Sequence, residues 1–138
     1  MSSSDLWVRD AHSFHGRVET RPLESSALEG NALGDPATRE VPVYLPPDFG
    51  AGERLPVVFL LAGLTGRGHK YFETHPWHLG VIPRYDRSLH AGECSQRAIV
   101  VAPDLFTKLG GSQYVNSSAV GAYEDHFVRE LVPFIDEH

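Results

Sequence analysis

The residues of this sequence best suited to chemistry form a glycine-rich segment, residues 60–68, that reads LLAGLTGRG. Its three glycines allow the backbone to bend closely around a ligand and to turn N–H groups outward. Outward N–H groups can bind a phosphate or stabilise the oxyanion that develops during acyl transfer. The segment lacks the Gly-Lys-Ser/Thr ending of a P-loop and the G-x-G-x-x-G spacing of a dinucleotide-binding loop. These residues alone are equally compatible with a plain connecting loop.

Hydroxyl, imidazole and carboxyl side chains also occur close together near the C-terminus, at Ser112, Ser117, Ser118, Asp125 and His126. Proximity in sequence is not the geometry of a catalytic triad, so we interpret Ser117 and Ser118 as helix-cap or loop hydroxyls. Asp104 follows a proline at the end of an apolar run, and we interpret it as a turn or cap residue.

A group of possible metal ligands follows the glycine-rich segment, at His69, Glu73, His75 and His78. Their pattern, H-x3-E-x-H-x2-H, matches no standard zinc-binding helix, and Pro76 would break such a helix. We therefore predict no metal site and no other cofactor.

Four strands are predicted to position these residues. The first two are at residues 16–20 and 39–45. In the second, alternating apolar residues predict one buried face, and Pro42 suits an edge position or a strand beginning. The other two, residues 57–62 and 98–102, are continuous apolar runs, which are typical of parallel strands covered on both faces.

Two helices are predicted from apolar residues at helical spacing. Between the apolar runs, the stripe contains Val81, Ile82, Tyr85 and Leu89, with Pro83 acceptable only in the first turn. Near the C-terminus, the stripe contains Tyr123, Phe127, Leu131, Phe134 and Ile135. Asp125 and Arg129 should form an i,i+4 pair on its opposite side, and Pro133 should kink or end the helix early. The order of elements predicts an α/β fold with βαβ crossovers.

The amino-acid composition excludes several classes of function. The chain has 138 residues, 12 Lys and Arg against 18 Asp and Glu, and a formal net charge of −6. This acidic balance argues against nucleic-acid or anionic-membrane partners, which need a basic surface. No apolar run approaches the ~20 residues of a membrane span, and the N-terminus does not resemble a secretory signal. Cys94 is the only cysteine and is interpreted as an inert thiol, so we expect a cytoplasmic protein.

Several ordered blocks resemble the first half of the esterase family of α/β-hydrolases that includes enterochelin-esterase-like enzymes, S-formylglutathione hydrolases and mycolyltransferases. The three blocks in the first part are residues 43–49 (VYLPPDF), 56–66 (PVVFLLAGLTG) and 99–104 (IVVAPD). The later blocks are residues 110–117 (GGSQYVNS), 121–125 (GAYED) and 130–136 (ELVPFID). The resemblance covers residues 16–138 and leaves residues 1–15 as an N-terminal tail.

The resemblance implies the N-terminal half of an α/β-hydrolase sheet, with antiparallel first strands, then parallel strands with flanking helices. It also implies a serine-type carboxylic ester hydrolase that acts on a small-molecule ester. In the family pattern, the backbone N–H of the residue after the loop glycine, here Leu64, is an oxyanion-hole donor. Many relatives carry His, Asp or Ser where this chain has Ala62, which leaves substrate preference open.

Four residues near the implied site are predicted to contact substrate: Thr65, Trp77, Tyr114 and Asn116. Trp77 could line an acyl or alcohol pocket. The alternative for Trp77 is simple packing under its loop. For Tyr114 and Asn116 the alternative is a structural turn.

The sequence departs from the family pattern in one large respect, since residues 1–138 contain no G-x-S-x-G nucleophile elbow. We therefore expect the catalytic Ser, Asp and His to lie outside this chain, and the chain alone to be inactive. In the family sheet, residues 57–61 lie beside the nucleophile strand, so this edge should be unpaired and prone to association. An incomplete sequence, a separate chain carrying the other half, and self-association are the explanations considered. The alternative function is a non-catalytic α/β interaction domain that retains the esterase framework.

Overall fold

The computed structural model describes residues 14–75 and 77–137, so most of the expected N-terminal tail, residues 1–13, lies outside the described residues. The described chain divides into two compact units. The first contains residues 14–19, 42–60 and 69–102, apart from residue 76, and the second contains residues 20–41, 61–68 and 103–137. Among the residues described, no helix has the length and apolar character that crossing a membrane requires.

The main sheet has four strands, which are β1 (Arg17–Glu24), β2 (Thr38–Leu45), β3 (Val57–Phe59) and β6 (Ile99–Val101). Their order across the sheet is β1-β2-β6-β3. Strands β2 and β6 are antiparallel, with Val43 opposite Val101, whereas β3 and β6 are parallel, with Val58 opposite Val100. The prediction of antiparallel strands followed by parallel ones is confirmed.

The remaining elements are short. Strands β4 (Thr74–His75) and β5 (His78–Leu79) form an antiparallel pair, as do β7 (Phe106–Thr107) with β8 (Gly110–Gly111) and β9 (Asn116–Ser117) with β10 (Gly121–Ala122). A 3-10 helix covers Gly68–Phe72, and helix α1 covers Val81–His90. The C-terminal helix consists of α2 (Tyr123–Asp125), a π-helical segment (His126–Leu131) and α3 (Val132–Glu137).

Strand β2 corrects two expectations. It lies between β1 and β6, so Pro42 is inside the sheet and not at an edge. Its carbonyl group still accepts a hydrogen bond from the Ala102 N–H at 3.3 Å, although proline has no N–H to donate to a neighbouring strand. Val41, Tyr44 and Leu45 are all buried, so the carboxyl end of β2 is covered on both faces and does not follow the simple alternation.

Strand β3 is shorter and more exposed than its sequence predicts. Only residues 57–59 form the strand, although the Leu60 N–H still donates to the Val101 carbonyl at 2.8 Å. The side chain of Val58 is 43% exposed, so the expectation that this strand is covered on both faces is wrong. The reason is its position as the last strand of the sheet, which is the unpaired edge that the resemblance implied.

The core of the first unit lies where helix α1 covers the sheet. Ile82 of α1 packs with Tyr44, Val100 and Ala102, all of them buried. The helix occupies the predicted region, with Pro83 in its first turn, where a missing N–H costs no helical hydrogen bond.

A carboxylate also lies inside this core. Asp86 on α1 is 1% exposed and accepts hydrogen bonds from the backbone N–H groups of His15 and Gly16 and from the Tyr44 hydroxyl, each at 2.8 Å. Burial, together with the hydrogen bond to Asp86, raises the pKa of Tyr44, so this hydroxyl keeps its proton and remains a donor. The buried charge is thus compensated by three donors.

The C-terminal helix forms the core of the second unit with the predicted stripe. Tyr123 packs with Leu28 and Leu105, and Asp125 pairs with Arg129 at 3.6 Å as expected. Pro133 does not end the helix, which continues to Glu137. The π-helical turns before Pro133 have hydrogen bonds that span five residues, and this wider spiral accommodates a residue that has no N–H.

Candidate active site

The glycine-rich loop is held by hydrogen bonds to three successive carbonyl groups. The Ala62 carbonyl accepts the Tyr114 hydroxyl at 2.6 Å, the Gly63 carbonyl accepts the Gly66 N–H at 3.0 Å, and the Leu64 carbonyl accepts the Gly111 N–H at 2.6 Å. All of these residues belong to the second unit. The loop backbone is therefore fixed by its neighbours rather than free to move.

The direction of the Leu64 N–H follows from these contacts. The N–H and the Gly63 carbonyl belong to one trans peptide unit and point in opposite directions. Because that carbonyl points into the turn toward Gly66, the Leu64 N–H points away from it. Leu64 is 56% exposed, and no residue that the structure describes accepts a hydrogen bond from this N–H. The loop thus presents an unused backbone donor.

The hairpin of β7 and β8 approaches the glycine-rich loop so closely that only glycine fits at positions 110 and 111. A Cβ atom at Gly110 would lie 2.8 Å from the Leu64 oxygen, and one at Gly111 would lie 2.8 Å from the Gly63 oxygen. Gly110 also has a φ of +106°, which strongly favours glycine. The sequence GG at positions 110–111 is therefore a requirement of the loop that faces it.

An ion pair ties the end of the loop to the segment after β6. The guanidinium of Arg67 contacts the Asp104 carboxylate through two nitrogens, with the Nε–Oδ1 distance at 3.2 Å, and lies over the Phe106 ring at 5.3 Å. Asp104 also accepts the Phe106 N–H at 3.4 Å, so its interpretation as a turn residue is consistent with the structure. Sequence reasoning missed Arg67, for which the only signal was a charge inside the glycine-rich segment.

The predicted substrate-contacting residues have different environments. Thr65 is exposed beside Leu64, and Tyr114 contacts the same loop through its hydroxyl. Asn116 accepts the Asp125 N–H at 3.1 Å through its side-chain oxygen, which supports the start of the C-terminal helix. Trp77 belongs to the first unit and is 82% exposed, so its alternative interpretation as a residue packed under a loop is wrong.

The histidines after the loop do not form a metal cluster with the other residues that are described. The rings of His75 and His78 lie 6.0 Å apart. Over residues 14–75 and 77–137, no three His, Cys, Asp or Glu side chains are placed to hold a metal ion. The Cys94 sulfur lies 3.9 Å from the Gln96 carbonyl oxygen.

A buried serine, histidine and glutamate meet in the second unit. The Nδ1 atom of His126 lies 2.9 Å from the Ser25 hydroxyl and 2.9 Å from the Glu130 carboxylate, and these two side chains also contact each other. In a catalytic triad the serine and the acid occupy different ring nitrogens. Here both contact Nδ1 and the buried Nε2 has no partner within the described chain, so the arrangement is a structural network.

The network sets the ionisation of both its titratable groups. Burial of the imidazole lowers the pKa of His126, despite the opposing effect of the Glu130 carboxylate. Burial acts to raise the pKa of Glu130, but hydrogen bonds from Ser25, His126 and the Ala27 N–H outweigh it and keep that pKa below its usual value. The native pair is therefore a carboxylate and a neutral imidazole near neutral pH.

Acidification should destabilise the protein through His126. Its folded-state pKa lies below the ordinary value of about 6.5, so the unfolded chain binds the proton first and stability falls as the pH drops below about 6.5. Urea unfolding at a series of pH values should show this loss. In a His126→Gln variant the loss should be smaller over the same range, because the titrating group is gone. An unchanged slope in that variant would contradict the assignment.

The fold of this chain is similar to that of solved esterase and hydrolase structures. An S-formylglutathione hydrolase from Agrobacterium tumefaciens shares it, with a TM-score of 0.59 and 19% identity over 91% of this chain and 45% of its own. A CE1 ferulic acid esterase from the anaerobic fungus Anaeromyces mucronatus has a TM-score of 0.59 and 16% identity over 89% of this chain and 44% of its own. A protein described as FAE has a TM-score of 0.64 and 17% identity, over 88% of this chain and 36% of its own.

The sequence matches no protein-family model and no curated protein. At identities below 20% the three structures establish a shared architecture. The chain spans less than half the length of each of them.

Proposed function

We propose that this chain supplies part of the oxyanion hole and part of the substrate pocket of a serine-type carboxylic ester hydrolase. The observation that carries the proposal is the Leu64 N–H, which has no acceptor among the described residues and lies on a loop where the carbonyl groups of Ala62, Gly63 and Leu64 are all hydrogen-bonded. A donor fixed before the reaction begins can stabilise the negative charge of a tetrahedral intermediate without reorganisation. The fold it occupies is that of esterases.

In this proposal the substrate is a small-molecule ester, and Thr65 and Leu64 lie where its carbonyl oxygen would bind. The hydroxyl nucleophile, its base and the acid come from polypeptide outside these 138 residues, because the sequence contains no nucleophile elbow. Attack of that serine on the ester carbonyl would place the new oxyanion against the Leu64 N–H. Trp77, which is exposed in the first unit, and Asn116, whose side-chain oxygen accepts the Asp125 N–H, stay predicted substrate contacts.

The proposal is tested by comparing this chain with the complete product of the gene that encodes it. The complete product should hydrolyse p-nitrophenyl acetate and lose that activity after labelling by a fluorophosphonate. The 138-residue chain should show neither turnover nor labelling. A complete product without esterase activity would overturn the esterase proposal, and labelled turnover by the chain alone would overturn the assignment of the nucleophile to another segment.

We also propose that the edge at β3 associates with a second copy of this chain, which would continue the sheet. The side chain of Val58 is 43% exposed at this edge. A cavity of about 390 Å³ in the first unit is lined by Val58, Leu60 and Val81. Arg97 also lines the cavity, with its guanidinium bound to Glu53, and most of the other lining residues are apolar. Apolar side chains on an adjoining strand suit it.

Association at this edge predicts concentration-dependent self-association of the isolated chain, measured by sedimentation velocity. Val58→Lys should weaken it, since a charged residue blocks edge pairing. The matched control is Val128→Lys, at a valine that is 57% exposed on the C-terminal helix, and it should leave association unchanged. A monomer at every concentration, or equal effects of the two substitutions, would contradict this surface.

A further inference from the structure

Tyr114 has a backbone conformation that large side chains rarely adopt. Its φ is +57°, and that of the preceding Gln113 is +58°. Left-handed backbone at two successive residues with Cβ atoms is unfavourable, and such strain persists only where the surroundings enforce it. The segment contains no glycine at these two positions, although glycine would remove the cost.

Packing holds the strained residue in place. The Tyr114 ring packs edge-on against Phe127, with centroids 6.4 Å apart and an interplanar angle of 69°. Both residues lie against the core cluster of Leu28, Leu105 and Tyr123. The Tyr114 N–H also donates to the Ser112 hydroxyl at 3.4 Å. The ring is therefore fixed to the core of the second unit.

The hydroxyl of this anchored ring reaches the glycine-rich loop. It donates to the Ala62 carbonyl at 2.6 Å, and Ala62 itself is 5% exposed. The Leu64 N–H belongs to the peptide unit between Gly63 and Leu64. The Ala62 carbonyl precedes this unit along the chain, and the Leu64 carbonyl, which accepts the Gly111 N–H, follows it. The donor thus lies between two fixed points, one of which is the Tyr114 hydroxyl.

We infer that Tyr114 is a positioning residue, which fixes the orientation of the Leu64 N–H through the Ala62 carbonyl. This inference rests on the proposed function and changes the predicted role of Tyr114, because its hydroxyl is bound to protein and does not face the substrate. The rigid ring and the strained backbone together set where the hydroxyl lies. Loss of the hydroxyl releases the Ala62 carbonyl and lets the neighbouring donor reorient.

The test is Tyr114→Phe, which deletes the hydroxyl and keeps the ring. In the complete gene product it should lower kcat about tenfold with KM nearly unchanged, since a displaced donor weakens binding of the transition state more than that of the substrate. In the 138-residue chain the Ala62 carbonyl carbon and the Leu64 amide should change their NMR chemical shifts. The matched control is Tyr123→Phe, which deletes a hydroxyl that accepts from Arg39 at 2.7 Å in the core of the same unit. It should destabilise the fold without altering kcat.

The outcomes separate this inference from the proposed function. An unchanged kcat or an unmoved Leu64 amide in Tyr114→Phe, alongside a damaging Leu64→Pro, overturns the role of Tyr114 and leaves the oxyanion proposal intact. An equal loss of kcat in Tyr123→Phe also overturns it, because the effect would then be general destabilisation. A complete product that keeps its kcat with Leu64→Pro overturns the proposed function itself.

Discussion

Replacing Leu64 with proline is expected to lower kcat of the complete gene product about 100-fold or more and to leave KM within about twofold. Proline has no N–H, so the substitution removes the proposed oxyanion donor. In the proposed function, this donor acts on charge that develops after the substrate has bound. Its loss should therefore raise the barrier of the chemical step rather than weaken substrate binding. Steady-state kinetics with p-nitrophenyl acetate measure both constants.

Leu64→Ala is the matched control for this experiment. It removes a side chain that is 56% exposed and keeps the backbone N–H, so kcat should change by no more than about threefold. Circular dichroism and the NMR signal of the Gly111 amide, which donates to the Leu64 carbonyl, show whether the loop is intact in both variants. A folded Leu64→Pro protein with normal kcat would exclude position 64 as the donor.

The order of the main strands and helices was predictable because each of them has a local pattern of apolar residues. Continuous apolar runs at residues 57–62 and 98–102 identified the two parallel strands, and helical spacing identified α1 and the C-terminal helix. The apolar run alone predicted that Val58 would be covered, whereas its exposure follows from the position of the strand at the edge of the sheet, which only the family resemblance indicated. The continuation of the helix through Pro133 depends on the π-helical turns before it, for which the sequence offers no periodic signal.

The candidate site likewise has features that the sequence predicted and contacts that it did not. The glycines of the loop identified it from sequence, and the family resemblance singled out the Leu64 N–H. The partners that fix the loop come from residues about 50 positions further along, such as Gly111 and Tyr114, and contacts of that range leave no local pattern. The same limit explains why Ser25 was missed, since it is separated from His126 by 101 residues.

The burial of Asp86 is a further feature that the sequence did not predict. Replacement of Asp86 by alanine should be the most destabilising of the substitutions considered. On sequence alone it is a charged residue on an amphipathic helix, yet it is 1% exposed. Asp86→Ala leaves the N–H groups of His15 and Gly16 and the Tyr44 hydroxyl without their acceptor. An unsatisfied buried group costs about 1–3 kcal/mol, and water can reach the two partly buried N–H groups, so we expect a total loss of about 3 kcal/mol or more.

Urea unfolding measures this loss as a lower midpoint with an unchanged m-value. Asp125→Ala is the matched control, since that carboxylate pairs with Arg129 at the surface of a helix, and it should cost less than about 1 kcal/mol. Tyr44→Phe removes one of the three donors and leaves the carboxylate with two, so its cost should lie between those of the two aspartate variants. If Asp86→Ala were as stable as Asp125→Ala, the three hydrogen bonds would not stabilise the fold, and burial of this charge would need another cause.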